Sequence, residues 1–233
     1  MMTWCKALIL AGLTMGTTPV GADYLVGMAA FAKGDYRTAW SEWRPLAEQN
    51  QAEAQFNLGV LYDGGLGVDR DYARAADWYQ RAAGQGHVRA QFNLAVLYAN
   101  GLGVPQSYAE AVRWYRRAAE KGLSDAQFNL GVLYENGLGV IRDHAVAAGW
   151  YRRAAEQGHA AAQNNLGVLY ANGQGVPRDP MIAFAWYEVA AAGDNAKARF
   201  NRDQLIRGFK PEQLAEGQRL SAEYVQRYRP VAP

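Results

Sequence analysis

The chain has 233 residues, of which 50% are hydrophobic and 12% aromatic, so it can bury a large core and is not a disordered polypeptide. Its 24 lysines and arginines nearly balance its 22 aspartates and glutamates. This balance gives no electrostatic reason to expect a nucleic acid or an anionic membrane as partner.

The N-terminal stretch predicts a secretory signal peptide. Lys6 precedes an apolar run over residues 7–16, and Val20 and Ala22 are small residues placed as in a cleavage site before Asp23. The run is short for a membrane span. An uncleaved anchor and an ordinary first helix are the alternatives.

Removal of residues 1–22 would place the mature chain in the periplasm or outside the cell. It would also remove Cys5, the only cysteine. The mature chain would then fold without a disulfide, and we expect no membrane insertion after cleavage.

Residues 23–51 are predicted to form a degenerate N-terminal repeat that acts as a cap. Residues 27–31 resemble the end of one helix of a repeat, and residues 39–47 resemble the second helix. The short loop at 33–35 replaces the longer loop of the later repeats. Atypical ends are expected in a repeat array, because the end unit covers the core.

Four full repeats are predicted over residues 52–197. The stretch Ala-Gln-Phe-Asn-Leu-Gly-Val-Leu-Tyr at 54–62 returns with few changes at 90–98, 126–134 and 162–170. The spacing is constant, because 90 − 54, 126 − 90 and 162 − 126 all equal 36. A fixed period of this size indicates a stack of supersecondary units.

Each repeat is predicted to contain two helices. The first ends at a glycine such as Gly65 or Gly101, since glycine adopts the left-handed conformation that closes a helix. The second begins after a side chain that can accept a hydrogen bond from a free amide of the first turn. These residues are Asp71, Ser107, Asp143 and Asp179.

Small residues predict close packing of the two helices. Gly59, Gly131 and Gly167 occupy one position of the first helix, and Ala95 stands there in the second repeat. Glycine inside a helix costs about 1 kcal/mol relative to alanine. Its return at the same position therefore indicates a packing requirement.

Residues 198–233 are predicted to form a C-terminal helical cap and tail. A fifth copy begins at Ala198 but loses the pattern by Ile206, and a last helix begins at Pro211. Residues 230–233 are expected to form a loose tail.

The pattern Ala-x-x-x-Leu-Gly-x-x-Tyr, Gly-x-Gly-Val-x-x-Asp and Ala-x-x-Trp-Tyr-x-x-Ala-Ala, on a period of 36, resembles the Sel-one-like repeat, a relative of the tetratricopeptide repeat. The resemblance is close over 52–204 and weak over 23–51. It implies an all-α fold, a right-handed α-solenoid of antiparallel helix pairs. It also implies protein interaction, which in bacterial relatives serves envelope scaffolds or regulators of signalling and secretion.

Some exported relatives of this family are linked to β-lactam binding or hydrolysis. Those relatives carry a cysteine pair in each repeat, and this chain carries no such pair. We therefore do not transfer β-lactam binding or hydrolysis from those relatives to this chain.

The sequence predicts no catalytic residue, no cofactor and no metal site. No serine lies in Gly-x-Ser-x-Gly or Ser-x-x-Lys. His87 and His159 share one loop position two repeats apart, too far to hold one ion if each repeat rises roughly 10 Å. The Gly-x-Gly loop returns in each repeat without the residues of a phosphate-binding loop, which indicates that its role is structural.

Arginines on the second helices form a basic stripe. An acidic partner would explain it, but so would a solvated outer face with Arg116–Glu120 and Arg152–Glu156 pairs, and the balanced net charge favours the latter. The stripe consists of Arg81, Arg116, Arg117, Arg152 and Arg153.

The first helices carry the candidate partner-binding surface. By analogy with tetratricopeptide arrays, the face opposite Ala54 and Leu58 lines a concave groove, and an apolar ladder there could hold a peptide. Packing between repeats is the alternative, and periodicity does not separate the two. The candidate residues are Phe56, Val60, Asp63, Arg89, Phe92, Val96, Asp125, Phe128, Val132, Glu135, Asn164 and Val168.

The sequence thus predicts a monomeric, non-catalytic scaffold that binds a protein or peptide in an envelope, signalling or secretion role. A peptidoglycan- or β-lactam-related envelope protein and a purely structural envelope component are the alternatives.

Signal cleavage gives the first testable prediction. The mature protein is expected to begin at or near Asp23, because Ala22 ends the cleavage pattern. N-terminal sequencing of exported protein measures this directly. An intact Met1 or Met2 on envelope protein would contradict the prediction.

Overall fold

A computed structural model of the chain describes residues 23–228. The predicted signal peptide, Cys5 and the tail at 230–233 lie outside these residues. Over the described range the chain forms twelve α-helices and no strand, which confirms the all-α prediction. The helices are α1 Tyr24–Lys33, α2 Tyr36–Glu48, α3 Ala52–Gly64, α4 Tyr72–Gly84, α5 Val88–Asn100, α6 Tyr108–Glu120, α7 Ser124–Asn136, α8 His144–Glu156, α9 Ala160–Asn172, α10 Pro180–Ala192, α11 Ala196–Ile206 and α12 Pro211–Tyr228.

The described residues fall into two compact units, 23–114 and 115–228, and the division lies inside α6. In the first unit α1 packs on α2, α2 on α3, α3 on α4, and α4 on α5. In the second unit α7 packs on α8, α8 on α9, α9 on α10, and α10 on both α11 and α12. Each unit is therefore built from neighbouring helix pairs along the chain.

The helix ends follow the period of 36. The side chains of Asp71, Asp143 and Asp179 accept hydrogen bonds from amides in the first turns of α4, α8 and α10. The Ser107 hydroxyl does the same for Glu110 of α6. The first helices end at glycines in the left-handed conformation, Gly65, Gly101, Gly137 and Gly173. These capping predictions are confirmed.

The loop between the two helices of a repeat needs a second glycine because it lies on the preceding second helix. Gly67 has φ 69°, and a Cβ there would lie 2.7 Å from the Tyr36 backbone. Gly175 meets the His144 backbone in the same way. The repeated Gly-x-Gly is thus an architectural element.

In three of the four repeats, a glycine of the first helix lies against a tyrosine ring of the second helix, and Ala95 takes this position in the other repeat. A Cβ on Gly59 would lie 2.5 Å from the ring of Tyr79, and one on Gly131 would lie 2.6 Å from Tyr151. Gly167 meets Tyr187 likewise, at 2.7 Å. Helix axes approach closely only where no side chain intervenes, so this glycine sets the spacing of the pair.

Buried glutamines tie each first helix to the helix before it. The Nε2 atoms of Gln55 and Gln127 donate to the carbonyls of Ala47 and Ala119, each at 3.1 Å. Gln91 and Gln163 make the same bond to Ala83 and Ala155. A buried amide left without a partner would cost about 1–3 kcal/mol, so the bond fixes the register between neighbouring helices.

No helix within 23–228 is long and apolar enough to cross a membrane. Over the same residues, no cluster of three or more His, Cys, Asp or Glu side chains could hold a metal ion.

The glycine contact gives the second prediction. Gly131→Leu forces a side chain into the Tyr151 ring and should lower the free energy of unfolding by about 1–3 kcal/mol. Leucine is used because Ala95 shows that a methyl group is accommodated at this position. Urea denaturation measures the loss.

Gly149→Leu is the matched control. Gly149 lies inside α8 with no atom within 4 Å of a built Cβ. Leucine there should be neutral or stabilising by up to about 1 kcal/mol, because it is the better helix former. Equal effects at the two glycines would show that the ring contact does not limit packing.

Candidate functional site

In the first unit, Phe56 of α3 lies between two rings instead of in open solvent. Its ring stacks on His87 with centroids 4.5 Å apart and meets Tyr79 at 5.9 Å. His87 precedes α5, and its Nδ1 atom accepts the amide of Ala90 at 3.1 Å. Phe56 is half-buried, so part of its ring remains accessible.

Asp63 ends the same face of α3. Its carboxylate accepts a hydrogen bond from the Tyr79 hydroxyl at 3.2 Å. Burial raises the pKa of Asp63, and the Tyr79 bond and the charge of Arg70 oppose this rise. Asp63 therefore carries a charge that the fold only partly compensates.

The second unit repeats the aromatic arrangement on α7. Phe128 stacks on His159 at 4.7 Å and meets Tyr151 at 5.8 Å. His159 caps α9 through Nδ1, while its Nε2 atom lies 3.4 Å from Asp125 Oδ1. Because Nδ1 accepts a hydrogen bond, the neutral ring carries its proton on Nε2 and presents it to Asp125.

Glu135 follows Phe128 by seven residues on α7, about two helical turns. Its carboxylate accepts a hydrogen bond from the Tyr151 hydroxyl at 2.5 Å. Burial raises the pKa of Tyr151, and the Glu135 bond adds to the rise. The tyrosine that packs on Gly131 is thus also a donor to the candidate surface.

Two of the predicted binding residues offer little surface. Val60 is 9% exposed and Asn164 is 6% exposed. Asn164 is held from the C-terminal side, because Asn201 Nδ2 donates to its Oδ1 at 2.9 Å. We therefore remove both from the candidate surface.

The remaining predicted residues are half-buried. Val132 and Val168 pack against the cores of the second unit. Arg89, Phe92 and Val96 on α5 are partly exposed. The structure brings Asp125, Phe128, Val132 and Glu135 together on α7, and this set is called the α7 surface below.

Phe200 is an aromatic residue of the same register that the sequence reasoning missed. It follows Phe128 by 72 positions, twice 36, and lies on α11. Its side chain is 63% exposed. The signal was the repeat spacing itself, continued past residue 197 into the degenerate copy.

A second missed feature is a solvent-open cavity of about 310 Å³ on the second helices of the first unit, called the α2–α4 cavity below. In its lining, Trp40 Nε1 donates a hydrogen bond to the Tyr62 hydroxyl at 3.3 Å. The guanidinium groups of Arg44 and Arg74 lie over the rings of Trp40 and Tyr62 at 5.1 and 5.5 Å. The lining residues are Trp40, Arg44, Glu48, Leu58, Tyr62, Arg74 and Trp78.

The basic stripe is largely paired within the chain, although not as predicted. Arg116 and Arg152 donate to the hydroxyls of Tyr134 and Tyr170 at 2.6 and 2.7 Å, instead of pairing with the glutamates one turn on. Arg153 lies over Trp150 at 4.7 Å. Arg81 lies over its neighbouring Trp78 at 4.7 Å and pairs with Asp77.

Comparison with known proteins supports the repeat architecture. A Sel1 repeat protein from Oxalobacter formigenes is 32% identical, with a TM-score of 0.76 over 87% of this chain and 85% of that chain. The protective antigen c5321 of uropathogenic Escherichia coli, which displays an SLR fold, is 33% identical, with a TM-score of 0.57 over 88% of this chain and 52% of that one.

No curated protein matches the sequence significantly. The sequence model of the Sel1 repeat matches four consecutive segments, 52–87, 88–123, 124–159 and 160–195. Sel1 repeats form a scaffold that typically mediates protein interactions, and this chain belongs to the Sel1 repeat family.

Proposed function

We propose that this protein is a non-catalytic scaffold that binds a protein or peptide partner through its first helices. The interaction role typical of Sel1 repeats supports the proposal. The pattern of residues 1–22 supports an exported protein, an adaptor or regulator in the cell envelope.

The exposed ring of Phe200 is the observation that carries the proposal. At the same register position, Phe128 is half-buried on Tyr151 and His159. Phe200 has 63% of its surface in solvent. Aromatic residues are enriched among the anchors of protein interfaces, and an exposed ring in a binding register is a suitable anchor.

The charges beside the rings suit a polar rim. The Asp125 side chain is 46% exposed, beside Phe128. The carboxylate of Glu135 lies on the same helix. A segment with aromatic or aliphatic contacts and a basic flank would match the α7 surface and Phe200.

Partner capture gives the third prediction. Tagged parent protein and the Phe200→Ser variant are each used to recover proteins from envelope extract, with yields measured by quantitative mass spectrometry. The amount of partner recovered should fall by about tenfold or more with Phe200→Ser, because an anchor residue is lost. Its melting temperature should stay unchanged, since the ring is exposed.

Ile141→Ser is the matched control for this experiment. Ile141 is 91% exposed on the loop between α7 and α8 and lies outside the α7 surface. It should retain the partner. If both variants recover the same proteins as the parent, Phe200 is not an anchor and the proposal loses its main support.

Packing of Phe128 gives the fourth prediction. Phe128→Ser should lower the free energy of unfolding by about 1–3 kcal/mol, less than the ~3–5 kcal/mol of a fully buried ring. The reason is that only part of the ring is packed, on Tyr151 and His159. Urea denaturation beside Phe200→Ser measures the difference. Equal stability of the two variants would show that the stack contributes nothing.

A further inference from the structure

The last helix, α12, lies on the second helices of the second unit, mainly on α10 and to a lesser extent on α8. Tyr224 and Tyr228, one turn apart, pack on Trp186 with ring centroids 5.0 and 5.2 Å away. Both tyrosines join the cluster that contains buried Leu166 and partly buried Tyr170. The second-helix surface therefore binds a helix through two aromatic side chains.

The repeat places the same surface in the first unit, 108 residues earlier. The differences 166 − 58, 170 − 62 and 186 − 78 all equal 108, which is three times the period of 36. By this spacing Leu58, Tyr62, Trp78, Arg44 and Glu48 correspond to Leu166, Tyr170, Trp186, Arg152 and Glu156. All five of the earlier residues line the α2–α4 cavity.

Where the second unit holds Tyr224 and Tyr228, the first unit has open space. The α2–α4 cavity measures about 310 Å³. A cavity of about 150 Å³ holds a benzene molecule, so this space has room for roughly two aromatic rings. The chain's own α12 does not fill it, because α12 is engaged on Trp186.

Two substitutions between the units define the chemistry of an occupant. Trp40 stands where the second unit has Ala148, and it adds an aromatic wall held by its bond to Tyr62. Arg74 stands where the second unit has Ile182. The ion pair of Arg74 with Asp71 is solvent-exposed, so it leaves the guanidinium available to a carboxylate of a partner.

We propose that the α2–α4 cavity is the docking site for an amphipathic helix of a partner protein, with two aromatic side chains one turn apart and an acidic residue beside them. The helix binds as α12 binds to Trp186. This site is separate from the α7 surface and Phe200, and does not depend on the function proposed for them.

A peptide probe tests the site. The probe is residues 211–228 with capped termini and a fluorescent label, titrated into the full chain and followed by anisotropy. Saturable binding is expected. It should weaken at least tenfold when the peptide carries Tyr224→Ala and Tyr228→Ala, or when the protein carries Trp78→Ala. Equal binding in all three cases would overturn the proposal.

A second variant keeps the test decisive if Trp78→Ala fails to fold. Arg74→Ile copies Ile182, the residue at the equivalent position of the second unit, and the Arg74 side chain is 66% exposed, so folding should be unaffected. It should bind the probe at least threefold more weakly, because Glu223 of the probe, beside Tyr224, loses the guanidinium that would pair with it, and unchanged affinity would contradict the proposal. Phe200→Ser, as control, should bind the probe like the parent.

The alternative occupant of the α2–α4 cavity is a second copy of this chain. Light scattering over a range of protein concentrations distinguishes it. The parent should remain monomeric. A concentration-dependent dimer that Trp78→Ala abolishes would identify the occupant as α12 of another copy and would overturn the claim of a separate partner.

Discussion

The close contact between a glycine and an aromatic ring sets the spacing of the helix pairs in the first, third and fourth full repeats. Gly59, Gly131 and Gly167 each admit a tyrosine of the following helix to within reach of their backbone. The degenerate first repeat keeps the device with Gly27 and Trp43. The same ring that fills the glycine site also supports the neighbouring phenylalanine, as Tyr151 does for Phe128. The core contact therefore positions the residues offered to a partner.

The glutamine bonds extend this order from one pair to the next. Gln55 and Gln127 each donate to a carbonyl near the end of the preceding helix, and each accepts a bond from a second glutamine, Gln85 or Gln157, at 2.7 Å. Aromatic packing is tolerant of small shifts, whereas a buried amide must find its partner. Tyrosine and glycine thus fix the spacing within a pair, and glutamine fixes the register between pairs.

The sequence alone predicted what repeats with a fixed period: the helix pairs, the caps at Asp71 and Asp143, and the packing role of Gly131. It did not separate packed from open residues on the first helices. Val60 and Phe128 share a face by period, and only the neighbouring rings decide how far each is covered. The packing of α12 on Trp186 could not be predicted from the sequence either, because α12 has no counterpart in the repeats.

The docking of α12 has a consequence for how such an array evolves. Duplication of 36 residues adds another second helix with its Trp-Tyr surface, but the chain has one terminal helix to cover it. Tyr224 and Tyr228 cover Trp186, whereas half-buried Trp78 lines the solvent-open α2–α4 cavity. One terminal helix covers one such surface, so the surfaces of the other repeats depend on other contacts: Trp114 is only 5% exposed, whereas Trp78 lines the α2–α4 cavity.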